Sequence, residues 1–139
     1  MEIIDLLKQT PLFAEVSKTD LEELAPSVRI DNYRTGRIIL RQGHVGAALF
    51  LIVSGSVEVI KGMGKPDQVL VATLGAGDFF GEIANMKHLP RSATVKAREK
   101  TQCLVIHRLG IDAYIQRFPS VLAKVESALS ARFNDKEDH

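Results

Sequence analysis

The order of hydrophobic and polar positions predicts a helical beginning, a central series of strands and a helical end. Apolar residues from Ile3 to Leu7 fall on one face of a short opening helix. Ser17-Lys18-Thr19-Asp20 resembles a capping box at the start of a second helix, and Pro26 stands where that helix is expected to end. The chain before about residue 28 is therefore expected to be mainly helical.

Between about residues 28 and 107 the hydrophobic period changes to two, and glycines separate the runs. The runs that indicate strands are Val28–Ile30, Arg37–Leu40, Leu49–Val53, Val57–Val59, Val69–Val71, Ala93–Ala97 and Cys103–Ile106. Ser54-Gly55 predicts a tight turn, and residues 61–67 predict a hairpin loop. Roughly eight short strands at this spacing favour an antiparallel sandwich or jelly-roll barrel over alternating β-α-β units.

The last part of the chain predicts two helices. Ile111, Tyr114 and Ile115 suit one helix, and Pro119 stands in the first turn of the next. An apolar stripe runs along that second helix from Val121 to Leu129. The expected fold is mainly β with flanking helices: an eight-stranded antiparallel jelly-roll β-barrel with N-terminal helices and two C-terminal helices, as one domain over residues 1–139.

Composition and charge narrow the functional classes. The 139 residues are 45% hydrophobic and 25% charged, and the 18 basic residues nearly balance the 17 acidic ones, so no nucleic-acid partner is expected. Cys103 is the only cysteine and lies in an apolar run, which predicts a core residue. The four histidines lack metal-site spacing. The N-terminus resembles neither a signal peptide nor a membrane span, so a cytoplasmic location is expected.

The segment from Gly77 to Val95 holds the residues that suggest chemistry. Arg91 shares strand parity with Ala93 and Val95, so it faces the interior if they do, and a buried guanidinium without an anion is costly. Its fork of donors matches a phosphate or a carboxylate. Glu82 could accept hydrogen bonds from hydroxyl groups. From spacing alone, an alternative remains open in which Glu82 and Arg91 pair with each other or lie in water.

Two motifs in this segment resemble a known family. Phe80-Gly81-Glu82-Ile83-Ala84 and Pro90-Arg91-Ser92-Ala93-Thr94-Val95 are similar to the two halves of the phosphate-binding cassette of cyclic-nucleotide-binding domains. This family includes protein kinase A regulatory subunits, catabolite activator proteins and cyclic-nucleotide-gated channels. The resemblance extends over nearly the whole chain and implies a sensor or regulatory domain rather than an enzyme.

The resemblance also implies a role for each matching residue. Arg91 would pair with the cyclic phosphate, and Glu82 would bind the ribose 2′-hydroxyl. Backbone N–H groups of Ile83, Ala84 and Ala93 would complete the phosphate site. Gly81 would let the backbone approach the sugar, and Ser92 would supply a hydroxyl near the phosphate or the base.

Further expectations concern the choice of nucleotide, the residue that covers its base and the way in which binding is signalled. Cyclic AMP is preferred over cyclic GMP, although a hydroxyl at Ser92 suits either. The apolar stripe of the last helix either packs on the barrel or brings Leu129 or Phe133 over the purine as a lid. Ligand-gated movement of the C-terminal helices would signal to a partner protein or a fused effector.

Two positions depart from the family pattern. Ala47 stands where the family often has an acid, and Asn85 stands where it usually has a leucine. They support an alternative function, an interaction module on the same fold that has lost affinity for the ligand. A metal-dependent enzyme is a weaker alternative.

Overall fold

The computed structural model describes residues 2–41, 48–81 and 93–127 of the chain. Its helices are α1 (Ile3–Gln9), α2 (Lys18–Leu24) and α3 (Arg108–Arg117), and residues 119–127 are also helical. Its strands are β1 (Val28–Tyr33), β2 (Ile38–Leu40), β3 (Ala48–Ser54), β4 (Ser56–Lys61), β5 (Val69–Gly75), β6 (Phe79–Gly81), β7 (Thr94–Ala97) and β8 (Thr101–His107). The predicted succession of helices, strands and helices is confirmed.

Local side-chain chemistry sets the helix boundaries. The Ser17 side chain accepts a hydrogen bond from the backbone N–H of Asp20 at 3.2 Å, as the capping pattern predicts. Helix α2 ends at Leu24, and Pro26 lies in a 3₁₀ turn directly after it. At α3, the ring Nδ1 of His107 accepts a hydrogen bond from the N–H of Leu109 at 3.2 Å.

The eight strands form two four-stranded sheets. The strand orders are β1-β8-β3-β6 and β2-β7-β4-β5, and every pairing is antiparallel. This jelly-roll arrangement confirms the predicted fold, but the described strands do not close into a hydrogen-bonded barrel. The short turns between β1 and β2 and between β5 and β6 carry the chain from one sheet to the other, so these neighbours face each other across the sandwich instead of pairing. Strand β6, only three residues long, had no periodic signal in the sequence.

The connections give the sandwich two different ends. At one, here called the turn end, short turns join β1 to β2, β3 to β4, β5 to β6 and β7 to β8. Two hydrogen bonds bind the first and last of these turns together, from Gly36 N to Ala97 O at 2.7 Å and from Ala97 N to Arg37 O at 2.8 Å. At the opposite end, here called the loop end, the described chain stops after Arg41 and Gly81 and resumes at Ala48 and Ala93.

Two hydrophobic cores lie on opposite faces of the sheet that contains β3. The inter-sheet core contains Phe50 and Ile52 of that strand, and the helix-side core contains Leu49 and Leu51. This alternation is the period of a strand buried on both faces. The helix-side core also contains Val121 and Val125, so this part of the apolar stripe packs against the sandwich. Leu129 and Phe133 lie outside the described residues.

Candidate functional site

The structure describes two of the predicted site residues, Gly81 and Ala93. Gly81 ends β6 and lies opposite Leu49 of β3, and Ala93 immediately precedes β7. Both residues lie at the loop end, where the two halves of the predicted cassette join the sandwich. The remaining site residues predicted from the sequence lie outside the described part of the chain: Glu82, Ile83, Ala84, Arg91, Ser92, Leu129 and Phe133.

The strand face that the Arg91 argument depends on is confirmed for its described members. Ala93 and Val95 both belong to the inter-sheet core and are only 4% and 2% exposed. Thr94, which lies between them and projects to the opposite face, is also buried. Membership of the inter-sheet core, not burial alone, therefore identifies the inward face of this strand.

One row of side chains crosses the inner face of the first sheet near the loop end. Register places Arg29, Val105, Phe50 and Phe80 side by side on β1, β8, β3 and β6. The rings of Phe50 and Phe80 stack nearly parallel, with centroids 4.8 Å apart and planes 4° apart. Because directly opposed residues project to the same face, this row forms a mainly apolar floor with a cation at its β1 edge.

A second row crosses the inner face of the other sheet. Register places Leu40, Val95, Val59 and Ala72 side by side on β2, β7, β4 and β5. Leu40, Ala48 and Ala72 pack against the inter-sheet core yet remain partly exposed. The loop end of the sandwich therefore has a partly exposed apolar lining that includes two alanines, which suits the flat face of an organic ring.

Gly81 has a structural role that its motif does not reveal. Its φ of +104° lies in a region that residues with a Cβ avoid. A Cβ there would also collide with the carbonyl oxygen of Ala48 and lie 2.9 Å from Cδ1 of Phe50. Glycine at this position therefore lets β6 approach β3 closely, whatever its contact with a sugar.

Sequence reasoning missed a polar cluster on β1. The carboxylate of Asp31 accepts hydrogen bonds from Nε of Arg29 at 3.0 Å and from the hydroxyl of Tyr33 at 3.3 Å. Asp31 lies opposite Cys103, a member of the inter-sheet core, so the cluster lies at the β1 edge of the inner face. Burial, followed by the charge of Asp31, raises the pKa of Tyr33 and raises the pKa of Cys103 to about 12. The alternation of Arg29, Asp31 and Tyr33 was the signal that could have revealed it.

Other features lie apart from this region. A cavity of about 200 Å³ lies between α1 and the turn that follows β5, and its lining includes Thr10, Pro11 and Gly77. This cavity is at the turn end. Within residues 2–41, 48–81 and 93–127, no three side chains of the types His, Cys, Asp and Glu are grouped so that they could hold a metal ion. No helix in the same ranges combines the length and apolar character needed to cross a bilayer.

Comparison with known proteins identifies relatives of this arrangement. The profile of the cyclic nucleotide-binding domain family matches residues 30–118. The chain is 34% identical to a cAMP-dependent protein kinase regulatory subunit of Yarrowia lipolytica over 116 residues, which is 84% of this chain and 29% of that protein.

Solved structures give the same result. The crystal structure of the Thermus thermophilus catabolite activator protein matches with a TM-score of 0.75 and 29% identity, over 92% of this chain and 60% of that one. The regulatory domain of Toxoplasma gondii PKA, crystallised with cAMP, matches with a TM-score of 0.73 and 25% identity, over 90% of this chain and 48% of that one. The chain thus spans less than two thirds of each of these relatives.

Proposed function

This chain belongs to the cyclic nucleotide-binding domain family, and on that premise we propose that it is a regulatory module that binds cyclic AMP at the loop end of the sandwich. The purine and ribose lie against the partly exposed apolar side chains at this end, Leu40, Ala48 and Ala72. The cyclic phosphate lies against the cassette, whose described members Gly81 and Ala93 both lie at this end.

The observation that carries the proposal is that Arg29, the one cation in these two rows, is already paired. Arg29 is already hydrogen-bonded and ion-paired to Asp31 at 3.0 Å, and its side chain is 68% exposed. Neither row contains another cation. A bound phosphodiester needs a partner of opposite charge when it leaves water. Arg91, two residues before Ala93 in the sequence, is the group that we assign to this role.

Titration calorimetry with cyclic AMP and cyclic GMP tests the proposal. We expect the wild type to bind both nucleotides and to bind cyclic AMP more tightly. Arg91→Ala is expected to weaken binding at least about 100-fold, since removing one partner of a buried charge pair costs about 3–5 kcal/mol. The matched control is Arg98→Ala, which removes an exposed arginine at the turn end. A wild type that binds neither nucleotide contradicts the proposal and favours the alternative module without ligand affinity, for which Ala47 and Asn85 are the support.

The same proposal includes an output through the helices. The first sheet separates the inter-sheet core from the helix-side core, which contains Ile111 of α3 and Val125 of the following helix. A ligand that binds one arrangement of these helices more tightly shifts the population toward it. In this account α3 and residues 119–127 transmit occupancy to a regulated partner or fused effector in the cytoplasm.

A further inference from the structure

Phe50 lies beneath the point where the cassette begins. Its ring is 6% exposed, stacks on the ring of Phe80 and lies within the inter-sheet core. An atom added at the Cβ position of Gly81 would be 2.9 Å from Cδ1 of Phe50, which is closer than side-chain contacts allow. The Phe50 ring and the carbonyl of Ala48 therefore limit how far the Gly81 backbone can move toward β3.

This contact bears on ligand recognition because Glu82 is bonded directly to Gly81. A hydrogen bond between a carboxylate and a hydroxyl weakens steeply when its distance or angle departs from the ideal. A side chain that fixes the backbone one residue earlier therefore controls the strength of that bond without touching the ligand. The neighbouring ring of Phe80 cannot replace Phe50, since it extends from the strand that has to be held.

We propose that Phe50 is a positioning residue that sets the preference of this domain for a ligand with a free ribose 2′-hydroxyl. This inference rests on the proposed function. Shortening Phe50 leaves space beside Gly81, the end of β6 shifts into this space, and the carboxylate of Glu82 loses its alignment with the hydroxyl. Contacts with the phosphate and the purine are made by other residues, so binding itself persists.

The test compares Phe50→Leu with Phe79→Leu. The two substitutions are chemically identical, and the two phenylalanines are 6% and 4% exposed. Phe79 adjoins Phe80 on β6 but belongs to the helix-side core. The measured quantity is the ratio of the dissociation constant for 2′-deoxy cyclic AMP to that for cyclic AMP. Urea unfolding of both variants verifies that each is folded and compares their losses of stability.

We expect the wild type to bind cyclic AMP at least about tenfold more tightly than the deoxy analogue, as expected for a polar site left unpaired. Phe50→Leu should reduce this ratio at least about fivefold, and Phe79→Leu should change it less than twofold. A wild type that discriminates, together with two variants that both keep or both lose the ratio, overturns the role of Phe50 while leaving the proposed function intact. A wild type that binds neither compound overturns both.

A second measurement examines the contact without any nucleotide. In the NMR spectrum of the free protein, Phe50→Leu should shift the Hα resonances of Gly81, because an aromatic ring edge lies against them. Phe79→Leu should leave those resonances nearly in place. Unshifted Gly81 resonances in Phe50→Leu would contradict the positioning role.

Discussion

At the scale of single residues, Gly81 is constrained both by its positive φ and by its close contact with β3. A comparison with Gly36, which has only the positive φ, separates the two effects. Gly81→Ala places a Cβ at a φ of +104° and against the carbonyl of Ala48. Gly36→Ala meets a similar φ of +86° but has no atom within 4 Å of the added Cβ. Backbone strain alone costs about 1–2 kcal/mol, and overpacking adds about 1–3 kcal/mol.

Gly81→Ala should therefore lower the free energy of unfolding by about 2–5 kcal/mol, and Gly36→Ala by about 1–2 kcal/mol. Urea denaturation measures both values. Equal losses in the two variants would show that the close approach of β6 to β3 contributes nothing to stability.

Cys103 is expected to lower the free energy of unfolding as the pH becomes alkaline. Its thiol is fully buried, and burial, followed by the charge of Asp31, raises its pKa from 9.0 to about 12. Above pH 9 the unfolded chain releases this proton and the folded chain retains it. The stabilising contribution is therefore fully present below pH 9 and is lost as the pH rises from 9 toward 12, by about 1.4 kcal/mol per pH unit.

Urea unfolding between pH 8 and pH 10 measures this loss. The two tyrosines begin to ionise in the unfolded chain near pH 10, but they contribute equally to the wild type and to a variant without the thiol. Cys103→Ala, which has no thiol, should show a flatter profile over the same interval. The folded wild type should also react with a thiol reagent far more slowly than the urea-unfolded chain. Parallel profiles for the two proteins would contradict the assignment to Cys103.

At the scale of elements, the start of α2 depends on one side chain. Ser17 accepts the hydrogen bond from Asp20 N, and both α2 leucines, Leu21 and Leu24, are buried. Ser17→Ala removes this cap and should lower the free energy of unfolding by about 1 kcal/mol. Thr19→Ala, an exposed change in the first turn of the same helix, should have an effect within about 0.5 kcal/mol. Thermal or urea unfolding distinguishes the two, and equal effects would exclude the cap as the cause.

The elements also show why some of the fold could be predicted and some could not. Strands such as β3 and β8 have long apolar runs bounded by turn residues, so local sequence identifies them. Strand β6 has only Phe79, Phe80 and Gly81, and its position depends on pairing with β3, which is distant in sequence. The distribution of strands between two sheets depends likewise on long-range register, which no local pattern contains.

The candidate site shows the same division. The motif assigned a role to Gly81, but its packing against Ala48 and Phe50 required the register of β3 with β6. Arg29 and Asp31 belong to an alternating run in the sequence, which is compatible with an ion pair between them. Only the pairing of β1 with β8 shows that this ion pair lies at the inner face. The assignments of Arg91 and Glu82 stay predictions.

At the scale of the whole molecule, one sheet connects the loop end with the helices. Leu49 and Leu51 of β3 face the helix-side core, while Phe50 and Ile52 face the inter-sheet core. Close-packed layers transmit small displacements because they contain little free space. A change at the loop end therefore has a direct packing route to α3 and to residues 119–127.

Hydrogen exchange with saturating cyclic AMP tests this route. A ligand slows amides that exchange through complete unfolding wherever they lie, so the informative amides are those that exchange through local opening. In the wild type we expect such amides in α3 and residues 119–127 to change their rates severalfold when cyclic AMP is added. Amides of the turn at residues 34–37, at the far end of the sandwich, should not change, and Arg91→Ala should show no response at the same concentration. If cyclic AMP binds and only strand amides respond, the domain captures its ligand without moving the helices, and the gating step is wrong even though the binding site stands.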